Sequence, residues 1–130
     1  MAARTALVMS DNRPAGSPAA PSYPALAFAL NALYACRHGY SLLYYQMVTP
    51  ACKHATQGAR HASYCKLPAI AHALRTYATV VFIDSDSFFL HRNLSLPALL
   101  QAYAPPLAAI PHRPAVWFAN LRARRGRPVA

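Results

Sequence analysis

The chain has 130 residues, enough for one domain with a buried core, and it carries thirteen Lys and Arg against three Asp and no Glu. The net charge of +10 favours phosphate groups, nucleic acid or an acidic membrane surface as partners, unless the Arg, Ala and Pro content follows the base composition of the gene. No stretch approaches the ~18 uninterrupted apolar residues of a membrane helix, and residues 1–9 are too short for a signal peptide. We therefore expect a soluble protein, or a fragment whose targeting segment and membrane anchor lie elsewhere.

The first predicted element is a short buried strand over Thr5–Ser10. A loop rich in Pro, Gly, Ser and Ala follows it and leads to Ser22, a suitable N-cap. From there, apolar residues recur at helical spacing as far as Arg37, and Gly39 predicts the end of that helix. A second strand is predicted over Ser41–Val48.

The second half begins with a polar, basic loop from Pro50 to His61 and a helix from about Lys66 to Tyr77. The apolar, β-branched run Thr79–Ile83 predicts a strand that is buried on both faces. A short helix is predicted over Leu96–Tyr103. The C-terminal segment is basic, and one piece of it, Val116–Ala119, could form a strand.

The three cysteines, Cys36, Cys52 and Cys65, cannot all pair with one another and show no Cys-x-x-Cys spacing. We therefore predict free thiols, buried or half-exposed, and neither a disulfide framework nor a zinc site. His38, next to Gly39, is interpreted as part of a helix cap, and the other histidines show no spacing typical of metal ligands.

The order strand, helix, strand, helix, strand is typical of an α/β fold with a mostly parallel sheet flanked by helices. In such sheets, ligands bind outside the carboxyl ends of the strands. Asp84 and Asp86 follow the Thr79–Ile83 strand, while Ser10 and Asp11 lie at the end of the first strand. We expect all four to reach the same edge.

Asp84 and Asp86 flank Ser85, and alternate residues that leave a strand can turn to the same side. Two carboxylates can then share one hard cation, Mg²⁺ or Mn²⁺, whose other positions are filled by phosphate oxygens and water. The tripeptide alone is more typical of solvated loop aspartates. The preceding apolar run and the scarcity of other acids favour a metal site with a polyanionic ligand.

Three ordered blocks add to this interpretation: NALYACRHGY at residues 31–40, YCKLPAI at 64–70 and VVFIDSDSFF at 80–89. They are similar to a helix end N…Y-A/C-x-x-H-G-Y, a helix start W-x-K-L/V-P and a strand end W-x-D-S/A-D-A-hydrophobic. These patterns, their order and their approximate separations are those of the GT-A glycosyltransferases. The chain most closely resembles glycosyltransferase family 34, the galactosyl- and xylosyltransferases, although Tyr64 stands where that family usually has Trp.

The resemblance implies a metal-dependent, retaining glycosyltransferase that moves a hexosyl or pentosyl unit from a nucleotide-diphosphate sugar, expected to be a UDP-sugar, to a glycan or glycoprotein. Asp84 and Asp86 would hold Mn²⁺ or Mg²⁺ and, through it, the donor diphosphate. Ser85 would lie near the donor sugar or ribose. Lys66 could face the donor, or could be an ordinary solvated lysine. The expected nucleotide-sugar-binding residues are Ser10, Asp11, Lys66, Asp84, Ser85 and Asp86.

The family's catalytic domain is about twice as long as this chain, and nothing after Phe89 matches its acceptor-binding half. We therefore expect a Rossmann-like GT-A nucleotide-sugar-binding half over residues 1–110, and a basic segment over 111–130 that is poorly ordered or a truncated strand. Asp11 is the only acid outside the Asp-Ser-Asp motif, so front-face substitution is favoured over a covalent intermediate. Family resemblance places a full-length protein in the Golgi or endomembrane lumen.

Two alternatives stay open. The chain could be a non-catalytic remnant that binds a nucleotide sugar without transferring it. Less favoured is a basic nucleic-acid-binding module, because the basic residues form no stripe interleaved with aromatic residues outside the C-terminal tail. We expect no nucleic acid among the partners.

Overall fold

The computed structural model describes residues 4–14, 16–47 and 52–103. The chain divides into two units, Met1–Ser95 and Leu96–Ala130. The strands of the first unit are β1 (Thr5–Asp11), β2 (Gly16–Ser17), β3 (Ala20–Pro21), β4 (Ser41–Gln46), β5 (Cys52–His54), β6 (Gly58–Arg60) and β7 (Thr79–Phe82). Its helices are α1 (Tyr23–His38), a 3-10 turn (Ala62–Cys65) and α2 (Lys66–Ala73), and α3 (Leu96–Tyr103) lies in the second unit.

The main sheet has three parallel strands in the order β4-β1-β7, which confirms the predicted α/β class. Ala6 of β1 pairs with Ser41 on one side and with Val80 on the other. The chain runs from β1 through α1 to β4, and then returns through α2 to β7 on the opposite side of β1. The direction of winding therefore reverses at β1, and α/β sheets generally bind ligands at such a switch point, outside the carboxyl ends of the strands.

The central strand β1 supplies the core, because its residues 6–9 are completely buried. Its alternate side chains face opposite layers: Ala6 and Val8 pack with Ala69 and Ala73 of α2, whereas Met9 is in contact with α1. The two helices thus cover opposite faces of the sheet.

The prediction that Thr79–Ile83 is buried on both faces is wrong. Within the described part of the chain, β7 is an edge strand with β1 as its one neighbour. Thr79 is exposed, the next three residues are half-buried, and only Ile83, which follows the strand, is buried. The apolar run is explained by α2, because Val80 and Phe82 pack against the cluster that α2 forms with β1.

The predicted ends of α1 are confirmed. The Ser22 hydroxyl accepts a hydrogen bond from the amide of Ala25 at 3.4 Å, which caps the first turn. Gly39 ends the helix in the left-handed conformation with φ 68°, where a side chain would be strained. The following residue, Tyr40, donates its amide to the Ala35 carbonyl at 2.9 Å and closes the helix end.

Two predictions for the segment between β4 and α2 are wrong. The supposed loop from Pro50 to His61 contains the antiparallel hairpin β5–β6, in which Cys52 pairs with Arg60. Cys52 also forms a disulfide with Cys65, with Cα atoms 5.4 Å apart, whereas we had expected free thiols. The 3-10 turn before α2 brings the two cysteines together, and sequence spacing alone does not show this. Cys36 is a free, exposed thiol.

The helix expected as far as Tyr77 ends at Ala73 and continues as turns. The short helix predicted over Leu96–Tyr103 is confirmed as α3. None of the helices in the described residues is long and apolar enough to span a membrane. The possible strand Val116–Ala119 and the boundary at residue 110 lie outside the described residues and stay predictions.

Candidate functional site

The carboxyl ends of β1 and β7 form one edge of the sheet, which we call the carboxyl edge. Asp11 is the last residue of β1, and the Ile83 amide donates to the Val8 carbonyl at 2.8 Å, so that β7 stays in register until it ends. A β-turn follows at once, because the Ser87 amide donates to the Asp84 carbonyl at 2.9 Å. The Asp-Ser-Asp motif therefore lies at the tip of a turn beside the end of the central strand.

Asp11 is the centre of a hydrogen-bond network at this edge. Its side chain is only 4% exposed. Its Oδ1 accepts from the Arg13 amide at 2.6 Å and from Arg13 Nε at 3.0 Å, while Oδ2 accepts from Arg13 Nη2 at 2.7 Å. The Ser85 hydroxyl also donates to Oδ2, and Arg13 Nη2 donates to the Ser85 hydroxyl at 3.1 Å. Ser85 and Asp11 are thus brought together, as their places in the sequence predicted.

Arg13 was not predicted as a site residue. It lies two positions after Asp11, the spacing at which an aspartate accepts the amide of residue i+2 and folds the chain into an Asx turn. This turn brings the Arg13 guanidinium back to the Asp11 carboxylate, to which it donates hydrogen bonds. An Asp-x-Arg sequence at the end of a buried strand is therefore the signal that could have identified it.

The electrostatics of this network follow from the ion pair. The hydrogen bond from the Arg13 side chain, opposed in part by burial, lowers the pKa of Asp11 to about 2, and the Ser85 hydroxyl adds to the lowering. The same hydrogen bond raises the pKa of Arg13, and the charges of Asp11 and Asp86 add to that effect. Asp86 is therefore close enough to influence the Arg13 guanidinium. The Asp11 carboxylate stays ionised at neutral pH.

Residues at the end of β4 form hydrogen bonds with the backbone of Asp11 and Arg13. The Met47 amide donates to the Asp11 carbonyl at 2.9 Å, and the Gln46 side chain donates to the carbonyls of Asp11 and Arg13 at 3.2 and 3.4 Å. Tyr44, on the same strand, has its pKa raised by burial and by the charge of Asp11. These contacts fix the backbone that carries Arg13.

Asp84 and Asp86 are both exposed, in contrast to Asp11. The Ser87 hydroxyl donates to Asp86 Oδ1 at 3.5 Å. Among residues 4–14, 16–47 and 52–103, no three His, Cys, Asp or Glu side chains lie together as a metal-binding group. Two exposed carboxylates at one turn nevertheless fit a hard cation of the Mg²⁺ type, which binds to proteins through one or two carboxylates and keeps its other positions for phosphate and water.

The other two predicted residues lie apart from this network. Ser10 precedes Asp11 in β1 and so faces the opposite side of the sheet, the side of α2. Lys66 is the first residue of α2, and its Nζ lies 6.0 Å from the ring centre of Phe82. Lys66 and Ser10 thus belong to the α2 face. Asp11 and Ser85 form the network described above.

α1 holds the chain segment that follows the Asp-Ser-Asp motif. Asn31 is fully buried; its Nδ2 donates to the Ser87 carbonyl at 2.9 Å and its Oδ1 accepts from the Phe89 amide at 3.2 Å. One turn further along α1, the Tyr34 ring stacks on the Phe89 ring with centres 3.9 Å apart. The buried Asn31 amide therefore fixes the C-terminal end of the turn that carries Asp84 and Asp86.

Two further side chains of α1 extend this contact. The Tyr34 hydroxyl donates to the Leu94 carbonyl at 2.7 Å, and burial raises its pKa to about 12, so that it stays a donor. His38 Nε2 lies 2.9 Å from the Arg92 carbonyl. His38 therefore has a structural role at the helix end.

Comparison with known proteins gave no match to a family model, to a curated protein or to a solved structure.

Proposed function

We propose that the chain is the donor-binding half of a metal-dependent glycosyltransferase that uses a nucleotide-diphosphate sugar. The observation that carries the proposal is the position of the Asp84–Asp86 turn. It lies at the carboxyl edge of a parallel sheet, beside the strand at which the winding reverses, and a cationic side chain, Arg13, lies next to it. Switch points of this kind are where α/β sheets bind nucleotides.

The proposed metal role belongs to Asp84 and Asp86. Their exposure leaves both carboxylates open to a cation and to its phosphate ligands. When bound, Mn²⁺ or Mg²⁺ would supply Lewis-acid stabilisation of the nucleoside diphosphate that leaves. Asp11 and Arg13 hold the Ser85 side chain by hydrogen bonds. Ser85 would therefore lie in a fixed position next to the sugar or ribose of the donor.

The hydrogen bonds of Asp11 argue against Asp11 as a covalent nucleophile and are compatible with the front-face route. A nucleophilic carboxylate needs a free oxygen that points at the sugar carbon. Both Asp11 oxygens accept hydrogen bonds from Arg13, and one of them also accepts from Ser85. The chain has no acid besides Asp11, Asp84 and Asp86. The acceptor, a glycan or glycoprotein, would attack on the side from which the phosphate departs.

The test is calorimetric binding of UDP in the presence of Mn²⁺, with Asp84→Asn and Asp86→Asn as the variants. These substitutions keep the side-chain volume and remove the charge. We expect each to weaken binding by at least about 10-fold, because even changes outside the ligand shell cost that much. Arg75→Gln, which changes an exposed charge after the end of α2, is the control and should bind within about 2-fold of the unchanged protein.

Unchanged affinity in both aspartate variants would refute the site. A second measurement, turnover of UDP-sugars with Mn²⁺, distinguishes a transferase from a remnant. Binding with neither hydrolysis nor transfer would mean that this chain only binds the donor. Binding to RNA or DNA with a steep salt dependence, unaffected by Asp84→Asn, would favour the nucleic-acid alternative instead.

A further inference from the structure

Arg13 combines two properties at the carboxyl edge. Its side chain is 55% exposed, yet its guanidinium is held by the buried Asp11 carboxylate on the Nε and Nη2 side. This side-on pairing fixes the plane of the guanidinium. An arginine held in this way loses less conformational entropy when it binds a ligand than a free surface arginine does.

The hydrogen bonds of Arg13 leave part of the guanidinium for another partner. Nε and Nη2 donate to Asp11, and Nη2 also donates to Ser85. Within the described residues, no acceptor is paired with Nη1, which carries two further N–H groups. Because Nη2 donates to the Ser85 hydroxyl at 3.1 Å, the guanidinium that carries Nη1 lies beside the Asp-Ser-Asp turn.

We propose that Arg13 is the anion-binding residue of the carboxyl edge, donating from Nη1 to a phosphate group while Nε and Nη2 keep Asp11 and Ser85 in place. The identity of the anion as the diphosphate of a nucleotide sugar depends on the proposed function. The anion-binding role itself does not require a nucleotide; it depends on the geometry of Arg13 and on a cation at Asp84 and Asp86.

The formal charge at the carboxyl edge means that an anion needs a cation beside it in order to bind. Asp11, Asp84 and Asp86 contribute three negative charges and Arg13 one positive charge, so the edge carries −2 before anything binds. Arg13 alone therefore does not attract a phosphate group. A divalent cation at Asp84 and Asp86 cancels this excess, and the anion should bind with the cation and weakly without it.

The experiment uses the full chain and three probes: pyrophosphate with Mn²⁺, UDP with Mn²⁺, and uridine. Arg13→Gln should weaken both anionic probes by about 10- to 100-fold, as expected for a charge-assisted hydrogen bond. Uridine binding, if present, should not change, because uridine carries no phosphate. Arg75→Gln removes the same charge from an exposed site near the end of α2 and should change affinity by no more than about 2-fold.

Arg13→Gln also leaves Asp11 buried without its cation, which can impair folding. The double variant Asp11→Asn/Arg13→Gln removes both charges, so it should recover stability without recovering anion affinity. Arg13→Lys keeps the charge but lacks the planar set of guanidinium N–H donors. It should bind the anions with an affinity between those of the unchanged protein and of Arg13→Gln.

The outcomes separate the two proposals. Equal loss of pyrophosphate and UDP binding in Arg13→Gln supports both. Pyrophosphate binding that depends on Arg13, with no added affinity from the uridine part of UDP, supports the anion role and refutes the nucleotide function. UDP binding lost in Asp84→Asn but unchanged in Arg13→Gln and in the double variant refutes the anion role alone. Absence of binding of either anion with Mn²⁺ to the unchanged protein overturns both.

Discussion

Asp11→Asn tests the ion pair that organises the carboxyl edge. The substitution keeps the shape of the side chain and removes its charge. Asp11 is 4% exposed and is bound by Arg13 on both oxygens. The charged hydrogen bonds from the Arg13 side chain and the Ser85 hydroxyl favour the ionised carboxylate, and an amide cannot replace them fully.

The magnitude follows from the pKa of Asp11, which the Arg13 hydrogen bond lowers from 3.8 to about 2. Since each pH unit of pKa corresponds to about 1.4 kcal/mol, the charged form of Asp11 adds about 2 kcal/mol to the free energy of unfolding. The folded pKa is the lower one, so this contribution is complete above about pH 4 and is lost as the pH falls towards 2.

The assay is urea denaturation of both proteins at intervals between pH 2 and pH 6. We expect Asp11→Asn to be less stable by about 2 kcal/mol at pH 6, and the difference to shrink towards zero near pH 2. Every other titrating group contributes to both proteins, so the difference between them isolates Asp11. A constant difference across this range, or none at pH 6, would show that the carboxylate is not stabilised by Arg13.

Three further substitutions test other parts of the fold. Asn31→Leu should lower the free energy of unfolding by about 2–4 kcal/mol, because it leaves the Ser87 carbonyl and the Phe89 amide without their partner; a loss below about 1 kcal/mol in urea denaturation contradicts this. Replacing Cys52 and Cys65 by Ser should cost about 2–4 kcal/mol, and peptide mapping without reductant should recover the two cysteines linked. Gly39→Ala should cost about 1 kcal/mol by thermal unfolding, because φ is 68° there; an unchanged midpoint would argue against this helix end.

Local signals were enough to predict the three helices and the three strands of the main sheet, but not the hairpins β2–β3 and β5–β6. Ser22 and Gly39 set the ends of α1 through side-chain and backbone capping, both of which depend on a few neighbouring residues. β1 and β4 were predicted from apolar runs, and their parallel pairing follows from the helix between them. The shared edge of Asp11 and Ser85 was predicted for the same reason.

The features that were missed depend on distant contacts. β7 has the composition of a central strand, but its burial is decided by how many strands lie beside it, which its own sequence does not contain. The Cys52–Cys65 disulfide joins the β5–β6 hairpin to the 3-10 turn, and neither of these elements was predicted from the sequence. The role of Arg13 becomes visible only when Asp11 is known to be buried, because an exposed Asp-x-Arg is an ordinary surface pair.

The three blocks behind the glycosyltransferase resemblance are in physical contact. The side chain of Asn31, from the first block, forms hydrogen bonds with the backbone of Ser87 and of Phe89, the residues on either side of Phe88 in the third block. Lys66, from the second, lies over Phe82 of the third. All three therefore adjoin β7 and the turn that follows it. The blocks fit together because α1 holds the segment that follows β7, while α2 packs against β7 from the opposite face of the sheet. The three blocks can therefore occur together because they pack against one another, whatever the function of the chain. The chemical argument for the proposed function depends on the residues that this packing does not need: Asp84, Asp86 and Arg13.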